Sequence, residues 1–204
     1  MYNNSGDLGN GEFIAHKSSG GGWYLQLADQ DGTLCEIRFR QRWDGSGGVS
    51  AYWDSSKSLN LSQWNHVAVT YNSSSTSAPV MYLNGVSLTV TQINAASGTR
   101  VSDSAANLNI GSKAGTAGIF TGYIDEVSIW STELSSAEIS TLYNSGSPID
   151  LLTNTGSYNS KNDLVGWWRM GDGDTHPTIQ DNSTNSNDGT MTNMASGDIV
   201  ADVP

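Results

Sequence analysis

Between residues 12 and 130 the chain alternates apolar and polar positions with a period of two, the spacing of a half-buried strand. Phe13 to Lys17, Trp23-Tyr24-Leu25-Gln26-Leu27 and Leu34-Cys35-Glu36-Ile37-Arg38-Phe39 read as strands, and Asp31-Gly32 before the last of them predicts a hairpin. Gln63 to Tyr71 alternates cleanly, sending Val67, Val69 and Tyr71 to one face and His66, Ala68 and Thr70 to the other. Val80-Met81-Tyr82-Leu83, Asn84-Gly85 and Val86 to Val90 spell a two-residue type I′ hairpin. Asn107 to Ser112 and Gly122 to Trp130 predict two further strands, the second central in its sheet, and Leu164 to Met170 a late one.

A single helix is signalled near residues 136–144. Ser135 can cap it with Glu138 as the reciprocal partner, Leu134 and Ile139 occupy the staple positions, and Gly146 and Pro148 close it. Residues 1–11 are polar and Gly-rich and read as an arm or loop, leaving 12–204 for one domain with 164–191 supplying a late strand and an acidic loop. The expected fold class is all-β, a two-sheet antiparallel jelly-roll sandwich with one short helix.

Composition agrees with that class. Asp, Glu, Lys and Arg make only 14% of 204 residues, and the polar remainder is mostly Ser, Thr, Asn and Gly, which favour turns and strands over helix. A net charge of -11 repels a phosphate backbone, so nucleic acid is not an expected partner. No apolar run approaches the roughly 20 residues needed to span a bilayer, so no membrane insertion is expected. Cys35 is the only cysteine, which excludes an intrachain disulfide and a thiolate zinc site. The start, Met1 to Gly6, lacks the basic and apolar regions of a secretory signal, so an extracellular or virion-surface location would require either a removed leader or export without one.

Four motifs in order, Gln63-Trp64-Asn65-His66-Val67-Ala68-Val69-Thr70-Tyr71, Tyr82-Leu83-Asn84-Gly85, Ile110-Gly111-Ser112 and Gly122 to Trp130 followed by Leu134 to Ile139, resemble the laminin G-like branch of the concanavalin A-like fold. The resemblance covers residues 12 to 146 and implies two sheets packed face to face, with loops carrying the binding sites. Gly166-Trp167-Trp168-Arg169-Met170 also resembles the family but commonly opens such a domain, whereas the apolar strand that should precede Phe13 is missing from residues 1–11. A rearranged unit is expected, its C-terminal strand lying beside residues 122–130. The wording from Trp167 onward is similar to laminin G-like proteins of marine phages, which implies a virion surface or tail-fibre context with other virion proteins as partners.

Two candidate sites follow. Asp125, Asp181, Asn187 and Asp188 offer oxygen ligands, and family resemblance implies a structural calcium at an acid in the place of Asp125 with loop oxygens from the Asp-x-Ser segment; a solvated acidic loop is the alternative. Trp43, Asp44, Tyr52, Trp53 and Asp54 place aromatics beside carboxylates in Gly- and Ser-rich surroundings, which suits a glycan or cell-surface polysaccharide, unless the rings fill the sandwich. Trp64 and Trp130 are expected in the core, and of the adjacent Trp23 and Tyr24 one should face outward. A glycoside hydrolase needs two carboxylates on one face roughly 5 to 10 Å apart. Asp125 and Glu126 are adjacent and point to opposite faces, Glu138 is explained by capping, and no nucleophile or His-x-x-x-His spacing is present. The sequence thus favours a non-catalytic carbohydrate- or surface-binding module, with a virion structural role as the alternative.

Overall fold

The computed structural model describes residues 1–4, 6–9, 11–18, 20–45, 50–113 and 117–200; the tail's last residues, 201–204, lie outside the described residues. In chain order the strands are β1 (Tyr2–Asn3), β2 (Glu12–Lys17), β3 (Trp23–Asp31), β4 (Leu34–Gln41), β5 (Ala51–Ser55), β6 (Leu59–Asn60), β7 (Val67–Thr70) and β8 (Val80–Leu83). They continue with β9 (Val86–Ser87), β10 (Val90–Asn94), β11 (Asn109–Ile110), β12 (Gly122–Tyr123) and β13 (Val127–Trp130). Helix α1 (Ser136–Tyr143) follows, then β14 (Leu164–Trp168), β15 (Thr178–Ile179) and β16 (Gly189–Thr190).

The strongest alternation makes the largest layer. β10, β5, β4, β3, β2 and β11 lie side by side in that order, all antiparallel, with β6 attached to the end of β4. In β4 the inward residues Cys35, Ile37, Phe39 and Gln41 are buried while Arg38 and Arg40 on the other face are half-exposed. Leu27, Cys35, Ile37, Ala51 and Trp53 are fully buried in the main core, onto which Val67, Val69 and Tyr71 of the facing layer pack. The chain is therefore an all-β sandwich, as its patterning predicts.

The facing layer is assembled from separate pieces. β7-β8-β9 forms one ribbon and β13-β14 another. The β8–β9 hairpin turns at Asn84 (φ 50°) and Gly85 (φ 78°), the two left-handed residues that a type I′ turn requires. Helix α1 carries the expected capping box between Ser135 and Glu138, and Ile139 and Leu134 pack with Tyr82 behind the ribbon. Its C-cap is Asn144 in the left-handed conformation, two residues earlier than Gly146.

Four expectations change. Of residues 1–11, expected as an arm or loop, the described ones form a short strand and a loop tied to the body: β1 pairs with β12, Asn3 is buried, and Leu8 enters the main core. The stub gains both partners because Gly122 has no side chain to collide with the Tyr2 carbonyl. The expected strand 122–130 splits at Glu126, which adopts φ 52°, and β13 pairs only with β14. Residues 51–55, to which the sequence pattern assigns no strand, form β5 with a neighbour on each side in the large sheet. Finally, the strand expected over 86–90 ends early, and β10 crosses to the large sheet beside β5.

At the C-terminal end, β14 pairs antiparallel with β13, Val127 opposite Trp168 and Ser128 opposite Trp167, the placement beside 122–130 that the family resemblance implies. Trp167 joins Leu151, Tyr158 and Leu164 in a second, smaller core. Trp64 and Trp130 are half-buried rather than central, Trp64 edge-on to Tyr2 and Trp130 donating to the Tyr158 hydroxyl at 3.1 Å.

Candidate functional site

The outer face of the large sheet carries a set of aromatic and basic side chains. Strand register fixes it: Tyr24 is opposite Arg40, Arg40 opposite Tyr52, and Tyr52 opposite Asn94, while on the other side His16 is opposite Tyr24 and Asn109 opposite His16. A second row places Gln26, Arg38, Asp54 and Thr91 in register. Because side chains alternate between faces, residues two apart on β3, β4 and β5 share this surface, with strands about 4.8 Å apart across it.

Tyr24, Arg38, Arg40, Ser50 and Tyr52 line a cavity of about 320 Å³ on this face. The Arg38 guanidinium lies 5.0 Å from the Tyr52 ring centre and that of Arg40 5.3 Å from the Tyr24 ring. Cation–π contact and cross-strand packing hold both arginines extended over the sheet. The two differ in charge balance. Arg38 donates two hydrogen bonds to Asp54, at 2.6 and 2.7 Å, and that pairing holds its pKa above the ordinary arginine value. Arg40 has no carboxylate within ion-pair distance among the described residues, only a long contact to the Tyr24 hydroxyl at 3.5 Å.

His16 stacks on Tyr24 with rings 6.1 Å apart and 12° between planes. Its burial, together with the nearby cations Lys113 and Arg40, lowers its pKa, and its Nδ1 is buried with no partner. A neutral imidazole, an uncompensated guanidinium and two tyrosine rings therefore share one surface of a strongly acidic protein. Such a surface can take an anionic oxygen group at Arg40, charge-assisted, while ring faces pack against the C–H face of a sugar.

Of the five residues expected to bind glycan, the structure brings Tyr52 and Asp54 to this face. Trp53 lies between them on β5 and so points the other way; it is fully buried, 6.3 Å from Phe39 and 5.6 Å from Tyr71. Trp43 is also in the main core, which corrects its assignment as an exposed platform. Asp44 is exposed on a loop, where its carboxylate accepts from the Thr99 amide at 2.6 Å. Tyr24 is the outward member of its pair, as expected, whereas Trp23 packs on the core. Sequence reasoning missed Arg38 and Arg40, although their alternation with Cys35, Ile37 and Phe39 announces an outward row.

The expected calcium ligands do not converge. Asp125 has the N-terminus, Glu126 and Asp172 as its charged neighbours; burial first, then the two acids, push its pKa up to about 6. Asp181 instead organises the late loop: its carboxylate accepts from the amides of Trp167, Ser183 and Asn187 at 2.8–2.9 Å and from the Ser183 hydroxyl at 2.9 Å. Burial would raise its pKa, but these donors overcome it and hold the value below the usual carboxylate range. Asp188 accepts from the Asp181 amide, and the Asn187 side chain donates to the Val165 carbonyl. The oxygens a cation would need are committed to N–H and O–H donors, and among the described residues no group of three or more His, Cys, Asp or Glu side chains is placed to hold a metal ion. This set does not fit calcium.

Glu36 has Asp54 and Asp29 as acidic neighbours; burial first, then these two acids, raise its pKa. Both carboxylate oxygens of Asp54 accept from the Arg38 guanidinium. Among the described residues no helix is long and apolar enough to cross a membrane.

The architecture is an antiparallel sandwich whose large sheet carries aromatic and basic side chains on its outer face. The match to known families agrees: residues 2–140, well over half the chain, fit the laminin G-type model of the concanavalin A-like lectin/glucanase superfamily, and the chain belongs to that family. The match begins at residue 2 and so takes in β1. No curated protein matches the chain. The family affiliation makes this a carbohydrate- or protein-binding domain.

Proposed function

We propose that the outer face of the large sheet binds an acidic glycan, such as a uronate-bearing or sulfated surface polysaccharide, without catalysis. The observation that carries this reading is Arg40: a guanidinium with no acidic partner, set between Tyr24 and Tyr52, in a chain whose net charge is -11. A half-exposed guanidinium that no carboxylate occupies keeps its donors free for an anionic oxygen, and the local charge of Arg40 and Arg38 has to outweigh the repulsion from the chain's overall negative charge. Arg38, already satisfied by Asp54, acts as a rigid wall and positions Tyr52 by cation–π contact. Such a module acts at an extracellular or virion surface, where polysaccharide is met.

The test is a glycan array carrying uronate, sulfated and neutral oligosaccharides, probed with the native protein and with Arg40→Ala. Binding confined to the acidic glycans and weakened about tenfold or more by the substitution supports the reading, since one charge-assisted contact contributes about 1.5–3 kcal/mol. Equal binding of neutral glycans, or an indifferent Arg40→Ala, rejects it.

A further inference from the structure

We propose that Arg42 is a second cationic contact on the outer face of the large sheet, so that the glycan held there presents two anionic groups spaced roughly 7 Å apart along β4. The proposal rests on the reading of this face as an acidic-glycan site and adds to it a requirement on the ligand's charge pattern.

Arg42 reaches this face by the strand pattern. Gln41 and Trp43 are both buried, Trp43 in the main core, so Arg42 between them turns to the side that Arg38 and Arg40 occupy. The backbone keeps strand geometry past the end of β4: the Arg42 amide donates to the Gly22 carbonyl at 2.8 Å, the Val101 amide donates to the Arg42 carbonyl at 3.0 Å, and Trp43 bridges to Arg100. Three arginines thus stand at every second position of one strand face, and at a rise of about 3.4 Å per residue each lies about 6.8 Å from the next.

Charge balance separates the three. Arg38 is paired with Asp54, whereas Arg42, like Arg40, has no carboxylate within ion-pair distance among the described residues. The acids close by have other partners. Asp44, two residues on, accepts from the Thr99 amide at 2.6 Å, and Asp103, whose side chain lies against Gly22, is paired with Arg100 at 3.3 Å. Arg42 is half-exposed, so its donors are open to a ligand.

The row that Arg42 heads is built differently from its neighbour. Arg40 has Tyr24 on one side and Tyr52 on the other; the same registers, continued by two residues along β4, put Gly22 and Ser50 beside Arg42. No ring covers this second guanidinium. Ser50 lines the same cavity as Arg40, is only 3% exposed, and has its Oγ buried with no hydrogen-bond partner. A buried hydroxyl without a partner is rare, and this one sits between the two rows, where an oxygen of a ligand spanning Arg40 and Arg42 would satisfy it.

The two guanidiniums are two points of contact rather than one clamp. That of Arg40 is held 5.3 Å from the centre of the Tyr24 ring, and side chains on one face of a strand stand roughly perpendicular to the sheet, so Arg42 does not converge on it. A carboxylate on one sugar and a sulfate on its neighbour form the charge pattern that such a pair selects, each anionic group taking charge-assisted hydrogen bonds from one arginine.

Calorimetric titration of the native protein with three disaccharides tests this: chondroitin disaccharide, which carries one carboxylate; its sulfated form, with the sulfate on the neighbouring sugar; and neutral chitobiose. The sulfated form should bind about tenfold or more tighter than the unsulfated one, the effect of one added charge-assisted contact. Arg42→Ala should reduce that advantage to about twofold or less with the urea midpoint unchanged, and Arg42→Lys should keep part of it. Three results overturn the proposal while leaving the acidic-glycan face standing: equal binding of the two chondroitin disaccharides by the native protein, an advantage that survives Arg42→Ala, or an equal loss of both ligands in that variant, which marks a single anion clamped by both arginines. Failure of the underlying reading looks different. Native protein that binds neither chondroitin disaccharide, or binds chitobiose as well as both, removes the acidic-glycan face and this proposal with it.

Discussion

The large sheet and the β13–β14 ribbon are both built from alternating apolar residues, yet they are buried to different degrees. β4 has a hydrogen-bonded strand on each side, and its inward residues Cys35 and Ile37 are fully buried. β13 has one neighbour, and all four of its residues are only half-buried. Alternation decides which face a residue takes, whereas lateral neighbours decide whether that face closes. The same contrast separates the outer face of the large sheet, where residue rows run across several strands, from the β13–β14 ribbon, where they span two.

Substitutions should expose that difference, the largest effects coming from the closed layer. Trp53→Ala removes a fully buried ring stacked between Phe39 and Tyr71 and should cost about 3–5 kcal/mol in urea unfolding, whereas Ile129→Ala on the half-buried β13 should cost about 1 kcal/mol. Near-equal costs would contradict the picture of one closed and one open layer. Next comes Asp181→Ala, which strands the buried amide of Trp167 together with the loop amides and should cost about 2–4 kcal/mol. Because the folded pKa of Asp181 is depressed, its contribution is present above the unfolded carboxylate value and is lost as the pH falls through the lower folded value. The acid limb of the stability–pH curve should therefore flatten in the variant.

Asp125 behaves oppositely. Its folded pKa, raised to about 6, means its contribution is most favourable below the unfolded value and is lost as pH rises through about 6. Asp125→Asn should stabilise the protein at pH 7 by up to about 2 kcal/mol and leave it unchanged near pH 3, read from denaturation midpoints. The smallest stability effect is expected for Arg40→Ala, within about 0.5 kcal/mol, although its effect on glycan binding is the largest of the set. A large loss of stability there would make Arg40 a structural residue.

Much of the fold was legible because local chemistry dictates it. Asn84-Gly85 supplies the two left-handed residues of its turn, Ser135 and Glu138 cap α1 reciprocally, and the Val67–Val69–Tyr71 face packs onto the main core. The site was half legible. Gly- and Ser-rich flanks made Trp43 and Trp53 look exposed, but β5 is central in the large sheet, and period two places Trp53 opposite to Tyr52. The register that assembles His16, Tyr24, Arg40 and Tyr52 in one row is a property of four strands together and has no signature in any one of them. Cation loops and oxygen-rich turns share a composition, so the acidic loop's sequence suits either; Asp181 accepts from backbone amides.

The most direct test of the glycan face is an NMR chemical-shift footprint of an acidic oligosaccharide on the isotope-labelled protein. Shifts gathered on Tyr24, Arg38, Arg40, Ser50 and Tyr52, fading as salt is raised and absent around Val67 and Ser128, are the predicted result. Shifts centred instead on the loops of Asp44 or Asp181, or around Val67 and Ser128, would contradict it.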